Sequence, residues 1–124
     1  MKMILSNLLT LFCFLSNAQD PGNRDHFGMT YDHERDVLVL FGGNDTIAGK
    51  YGWRSDTWEW DGEIWNLRNV SSPGKISSMS LVYYPGINKS VMIGGINPEK
   101  GDINEVWLWD GAMWSQGPTG PGAR

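Results

Sequence analysis

Residues 57–67 read TWEWDGEIWNL, and residues 106–116 read VWLWDGAMWSQ. Each stretch has two tryptophans one residue apart (Trp58 and Trp60; Trp107 and Trp109), an Asp-Gly, and a third tryptophan three residues after the glycine (Trp65; Trp114). Six of the 7 tryptophans in the chain fall into these two frames, so the frames serve a common structural purpose. Asp-Gly between alternating apolar runs signals a two-residue β-hairpin turn, because both central residues of the favoured turn need positive φ. That register predicts Trp60 opposite Glu63, Trp58 opposite Trp65 and Trp107 opposite Trp114. One face of each hairpin then carries an aromatic pair, adding about 1 kcal/mol beyond area burial. The other face carries Glu59 and Ile64 in the first copy, Leu108 and Met113 in the second.

Working outward, the frames close a longer repeat. YDHERDVLVLFGG (31–43) aligns without a gap with YYPGINKSVMIGG (83–95), each ending in a double glycine, Gly42-Gly43 and Gly94-Gly95. The offset is 52 residues there and 49 between the tryptophan frames, so the connecting loop is three residues longer in the first copy. Pro-Gly pairs at Pro21, Pro73 and Pro121 open successive units. Each unit holds four short alternating or apolar runs bounded by turn residues and no helical period, which predicts an all-β chain of two four-stranded antiparallel sheets. Sheets apolar on both faces must lie between neighbours, and a four-stranded unit repeating about every fifty residues is the pattern of a β-propeller. The expected division is a leader over 1–18, a first blade over 19–72, a second over 73–120 and the start of a third repeat at 121–124.

The order Arg24, His26, Met29, Tyr31-Asp32, then Val37 to Phe41 with Gly42-Gly43, then Asp56-Thr57-Trp58, Trp60-Asp61-Gly62 and Trp65 resembles a kelch repeat of the galactose oxidase central-domain type. The second unit resembles another, with Ile76 and Ser78 where Arg24 and His26 stand and Pro85 in place of His33. The resemblance implies fold more than activity, since such propellers include enzymes and pure binding modules. Closure needs four to eight blades, so it also implies further blades beyond Arg124 or several short chains assembling into one ring.

Met1 to Ala18 reads as a secretory signal: Lys2, an apolar run from Ile4 to Leu15, and small residues before a cleavage site after Ala18. The run is short for a membrane span, and QDPG follows it, so no stable membrane insertion is expected after cleavage. The expected location is secreted, periplasmic or at the cell surface. Cleavage removes the only cysteine, Cys13. The formal net charge is −4, and no basic run follows the leader, which argues against a nucleic-acid partner.

Chemistry-bearing clusters are sparse. The double glycines lack any surrounding phosphate-loop pattern and read as tight strand exits. His26 and His33 sit seven apart, a spacing that sends strand side chains to opposite faces, so no metal site or cofactor is expected. Asp56 with Glu59 and Glu34 with Asp36 read as solvated carboxylates in separate turn or edge settings, not a glycosidase pair. No serine nucleophile elbow is present, and no catalytic residue is assigned. Trp53 is the one tryptophan outside the frames, in GKYGWRSD within the longer loop. With Tyr51 and Arg54 it predicts a surface that stacks on a sugar ring or binds a peptide; in the alternative reading Trp53 merely extends the third strand. The resemblance adds that loops before the first strand and after the second face the ligand, bringing in Arg24 and His26. The expected function is a binding module for a protein or glycan. An enzyme whose catalytic residues lie outside this chain is the alternative.

Overall fold

The computed structural model describes residues 19–119. The expected leader and the start of a third repeat, with Arg124, lie outside the described residues. Within them the chain is all β. Four strands, β1 (Gly28–Asp32), β2 (Val37–Phe41), β5 (Thr57–Trp60) and β6 (Trp65–Arg68), form one antiparallel sheet in the order β1-β2-β5-β6. A second sheet repeats the meander with β7 (Ser80–Tyr84), β8 (Lys89–Ile93), β11 (Val106–Trp109) and β12 (Trp114–Gln116). Between the second and third strand of each unit the expected loop is a two-stranded ribbon. The first is β3 (Asn44–Ile47) with β4 (Lys50–Trp53), the second β9 (Ile96–Asn97) with β10 (Gly101–Asp102).

The hairpin register differs from the two-residue-turn expectation. Trp60 pairs with Trp65 and Trp58 with Leu67; in the second sheet Trp109 pairs with Trp114 and Trp107 with Gln116. The cause is the aspartate side chain. Asp61 Oδ1 accepts the amides of Glu63 and Ile64, both at 2.9 Å, and Asp110 Oδ1 accepts those of Ala112 and Met113 at 2.7 and 2.8 Å. This capping lengthens each turn to four residues, with positive φ only at Gly62 (101°) and Gly111 (94°). Ile64 and Met113 therefore sit exposed in the turns instead of on the sheet face.

The two sheets pack face to face. Alternation sends Val39 and Phe41 from β2 toward the second sheet, where they join Leu81, Met92, Trp109 and Trp114, with Ile76 and Met79 from the preceding connection. Val39, Phe41, Ile76 and Met92 are fully buried, each contributing about 1.5–3 kcal/mol of transfer free energy. Phe41 and Trp114 meet at 5.0 Å between ring centroids. Gly28 of β1 lies against Leu81 of β7 and against Met79 just before it: an added Cβ would lie 2.9 Å from each. Just beyond β2 and β8, Gly42, Gly43, Gly94 and Gly95 all have positive φ.

A polar layer runs through the same interface. Glu59 is 4 % exposed, which corrects its reading as a solvated carboxylate. It accepts hydrogen bonds from Arg35 of its own sheet and from Trp109 Nε1 of the other at 3.1 Å. Arg35 also donates from Nε to buried Asp32 at 2.8 Å, and Arg68 donates across to the carbonyl of Gly111 at 2.8 Å. Trp114 Nε1 completes the layer on Thr57 Oγ1 at 2.9 Å. Burying a carboxylate is tolerable only because the lone pairs facing the interior find donors.

Candidate functional site

The end of the first sheet that carries the ribbon brings the predicted site residues into one region. In β3–β4, Thr46 pairs with Tyr51 and Asn44 with Trp53, so the two aromatic rings share one ribbon face, two residues apart. They meet edge to face at 6.1 Å between centroids. Tyr51 is 60 % exposed, while Trp53 is half-buried. Trp53 ends β4, and β5 begins only at Thr57, so Trp53 belongs to the ribbon and does not extend the third strand.

The opposite ribbon face anchors it. Asp45, 8 % exposed, forms an ion pair with Arg54, a charge contact without hydrogen-bond alignment that leaves Arg54 Nε unsatisfied among the described residues. The main chain of Arg54 ties the region together, donating to Gly43 at 2.9 Å and accepting from Ile76 at 3.3 Å. Its guanidinium is about a third exposed and held close to the aromatic pair's ribbon.

Arg24 has a different position. Its side chain is 3 % exposed, and its donors go to both carboxylate oxygens of Asp56 (2.8 and 3.0 Å), to the carbonyl of Gly42 at 3.0 Å and to that of Pro21. Asp56 feels burial, which raises its pKa, but the hydrogen bonds from Arg24 and Trp58 Nε1 outweigh this and hold it below the ordinary carboxylate value. Arg24 therefore shapes the site from beneath and offers no free donor to a ligand. His26 lies at the rim, about three-fifths exposed, with φ 52° and Nδ1 3.0 Å from Asp25. A cleft of about 310 Å³ lies between these segments, lined by Asn23, Arg24, Asp25, Asn44, Asp45 and Thr46.

His33 sits at the opposite end of the sheet, with its ring 4.8 Å from Tyr31 and 5.7 Å from Tyr83. Among the described residues no cluster of three or more His, Cys, Asp or Glu is placed to hold a metal ion. Sequence reasoning missed Asp45 and Asn44, which position the ribbon. Their signal was an Asn-Asp directly after the double glycine, open to reading as another polar turn.

What the arrangement offers chemically is an exposed aromatic edge on one ribbon face, suited to stacking, with a polar cleft beside the ribbon for hydrogen bonding. A scan against protein-family models and a search of curated proteins each found no match to the chain.

Proposed function

We propose that this chain is part of a secreted kelch-type β-propeller, each four-stranded sheet serving as one blade, and that the ribbon end of the first unit binds a protein or carbohydrate chain. The observation that carries the binding reading is the contrast between the two ribbons. The first has four-residue strands and displays Tyr51 and Trp53 on one side; the second has two-residue strands and no aromatic residue. An extension built in one unit alone is not needed for the repeated scaffold. Aromatic faces stack on the C–H-rich face of a sugar ring, and the polar side chains of the neighbouring cleft supply partners for its hydroxyls. A glycan is thus the favoured ligand class.

The test is a panel of soluble oligosaccharides and extended peptides titrated against the purified chain by intrinsic fluorescence and calorimetry. Tyr51→Ala and Trp53→Ala are expected to weaken the best panel binder by about fivefold or more, since stacking contributes on the order of 1 kcal/mol or more per ring. Tyr51→Ala, at a mainly exposed position, should leave the melting temperature unchanged. Unchanged affinity in both variants would remove the ribbon as the binding surface.

A further inference from the structure

The two units present the same structural position in two different states. At the turn end of the second sheet, the space above Gly111 is filled by Arg35 of the first: a Cβ on Gly111 would lie 2.6–2.8 Å from its guanidinium atoms. Trp109 and Trp114 beside it have their indole N–H groups accepted by Glu59 and Thr57. The counterparts in the first unit, by the repeat offsets, are Gly62, Trp60 and Trp65. There the space above Gly62 is open, with no atom within 4 Å of an added Cβ. Neither indole finds an acceptor among the described residues. Yet the indoles are set in nearly the same way, with centroids 5.5 Å apart at 52° in the first unit and 5.4 Å at 42° in the second.

That open position is a cleft of about 320 Å³ lined by Tyr31, Asp36, Leu38, Trp60, Asp61 and Gly62. Its rim is more acidic than the filled one, because Asp36 stands where the second unit has Asn88. The Asp61 carboxylate is held ionised by the amides of Ile64 and Glu63. A cationic planar group above an indole and between two carboxylates gains both cation–π and charge-assisted hydrogen bonds.

We propose that this cleft is a receptor for an arginine carried on a turn of a partner β-sheet whose facing strand presents a Thr-x-Glu pattern to Trp65 and Trp60. The partner's chemistry is that of the first sheet's inner face, with Thr57, Glu59 and Arg35. It is not that of a second copy stacking through the free face of its second sheet. There the corresponding positions are Val106, Leu108 and Ile87, which would bury both indole N–H groups without acceptors and leave the acidic cleft empty. This inference rests on the internal repeat and is independent of the ribbon-end reading.

The probe is a backbone-cyclised peptide of residues 28–41, which carries Arg35 on its turn, titrated into the isotope-labelled chain and followed by NMR. The expected result is saturable movement of the Trp60 and Trp65 indole N–H and Gly62 amide resonances, with Trp109 and Trp114 unmoved. A peptide with citrulline in place of Arg35 should bind about tenfold more weakly. So should the Asp36→Asn/Asp61→Asn chain, in which the carboxamide at position 61 retains the turn-capping oxygen. Unchanged Trp109 and Trp114 resonances in that variant report an intact fold. Equal binding of the citrulline peptide, no response at millimolar peptide, or concentration-dependent self-association of the chain that buries Trp60 would each overturn the proposal.

Discussion

Replacing Glu59 by leucine tests what joins the two sheets. Leucine is the residue the second unit carries at the matching position, Leu108, so the strand itself tolerates it. In the first unit the change removes the acceptor of Trp109 Nε1, a group on a side chain only 1 % exposed. An orphaned buried donor costs about 1–3 kcal/mol. Arg35 also loses Glu59, but it keeps Asp32 at 2.8 Å and is 31 % exposed, so water can replace part of the contact. We discount that loss to about 1 kcal/mol, at the weak end of charge-assisted bonds. The leucine recovers part of this by burying methyl groups beside Val39 and Trp109. The net expectation is about 2–3 kcal/mol of destabilisation, or a fall in Tm of roughly 8–20 °C for a domain of this size. Glu59→Gln, which retains one acceptor, should cost about half as much. Urea and thermal unfolding, followed by tryptophan fluorescence, measure both. A double-mutant cycle with Trp109→Phe should return a coupling of about 1 kcal/mol. If Glu59→Leu is as stable as the parent, or more stable, the interface is held by apolar packing alone and the polar layer is dispensable, an outcome known for other buried ion networks.

Two further outcomes follow from the same geometry. Gly111→Ala and Gly62→Ala both impose a side chain at positive φ, but only the first meets Arg35, pinned by Asp32 and Glu59; Gly111→Ala should be the more destabilising by about 1 kcal/mol in urea melts, and equal losses would show that Arg35 does not fill that space. The carboxyl of Asp56 has its folded pKa below the ordinary 3.8, so its contribution is complete above that value and is lost as pH falls through the lower folded value. As pH falls below 3.8, Asp56→Asn should therefore lose less stability than the parent; identical acid sensitivity would remove the Arg24–Asp56 pair as a source of acid lability.

The division between sequence and tertiary structure runs through individual residues. Asp61-Gly62 and Asp110-Gly111 announced the hairpins, yet whether Trp58 or Trp60 faces Trp65 depended on side-chain capping that extends the turn by two residues. Sequence pattern reads φ preference at the turn, not where an Asp oxygen goes. Glu59 looked like an exposed charge because alternation assigns a face without saying what covers it. Only the second sheet, with Trp109 at its surface, turns that face inward. Likewise, Arg24 could be placed at the site's entrance from its order in the repeat, but its commitment to Asp56 and Gly42 needed a contact across 32 residues of chain. The ribbon carrying Tyr51 and Trp53 was legible as an inserted segment, not as paired strands, because its short polar runs lack an alternating apolar signal.

By itself, then, the sequence determined the local and periodic features: strands, turn positions and two copies of one four-stranded unit. These depend on φ preferences and on a period of two, both written in neighbouring residues. Tertiary structure decided which charges are buried, which arginine fills which pocket, and why the cleft at Gly62 is open while its twin at Gly111 is full. Those outcomes depend on the face of one sheet meeting another, a contact between residues about fifty positions apart that no local pattern encodes.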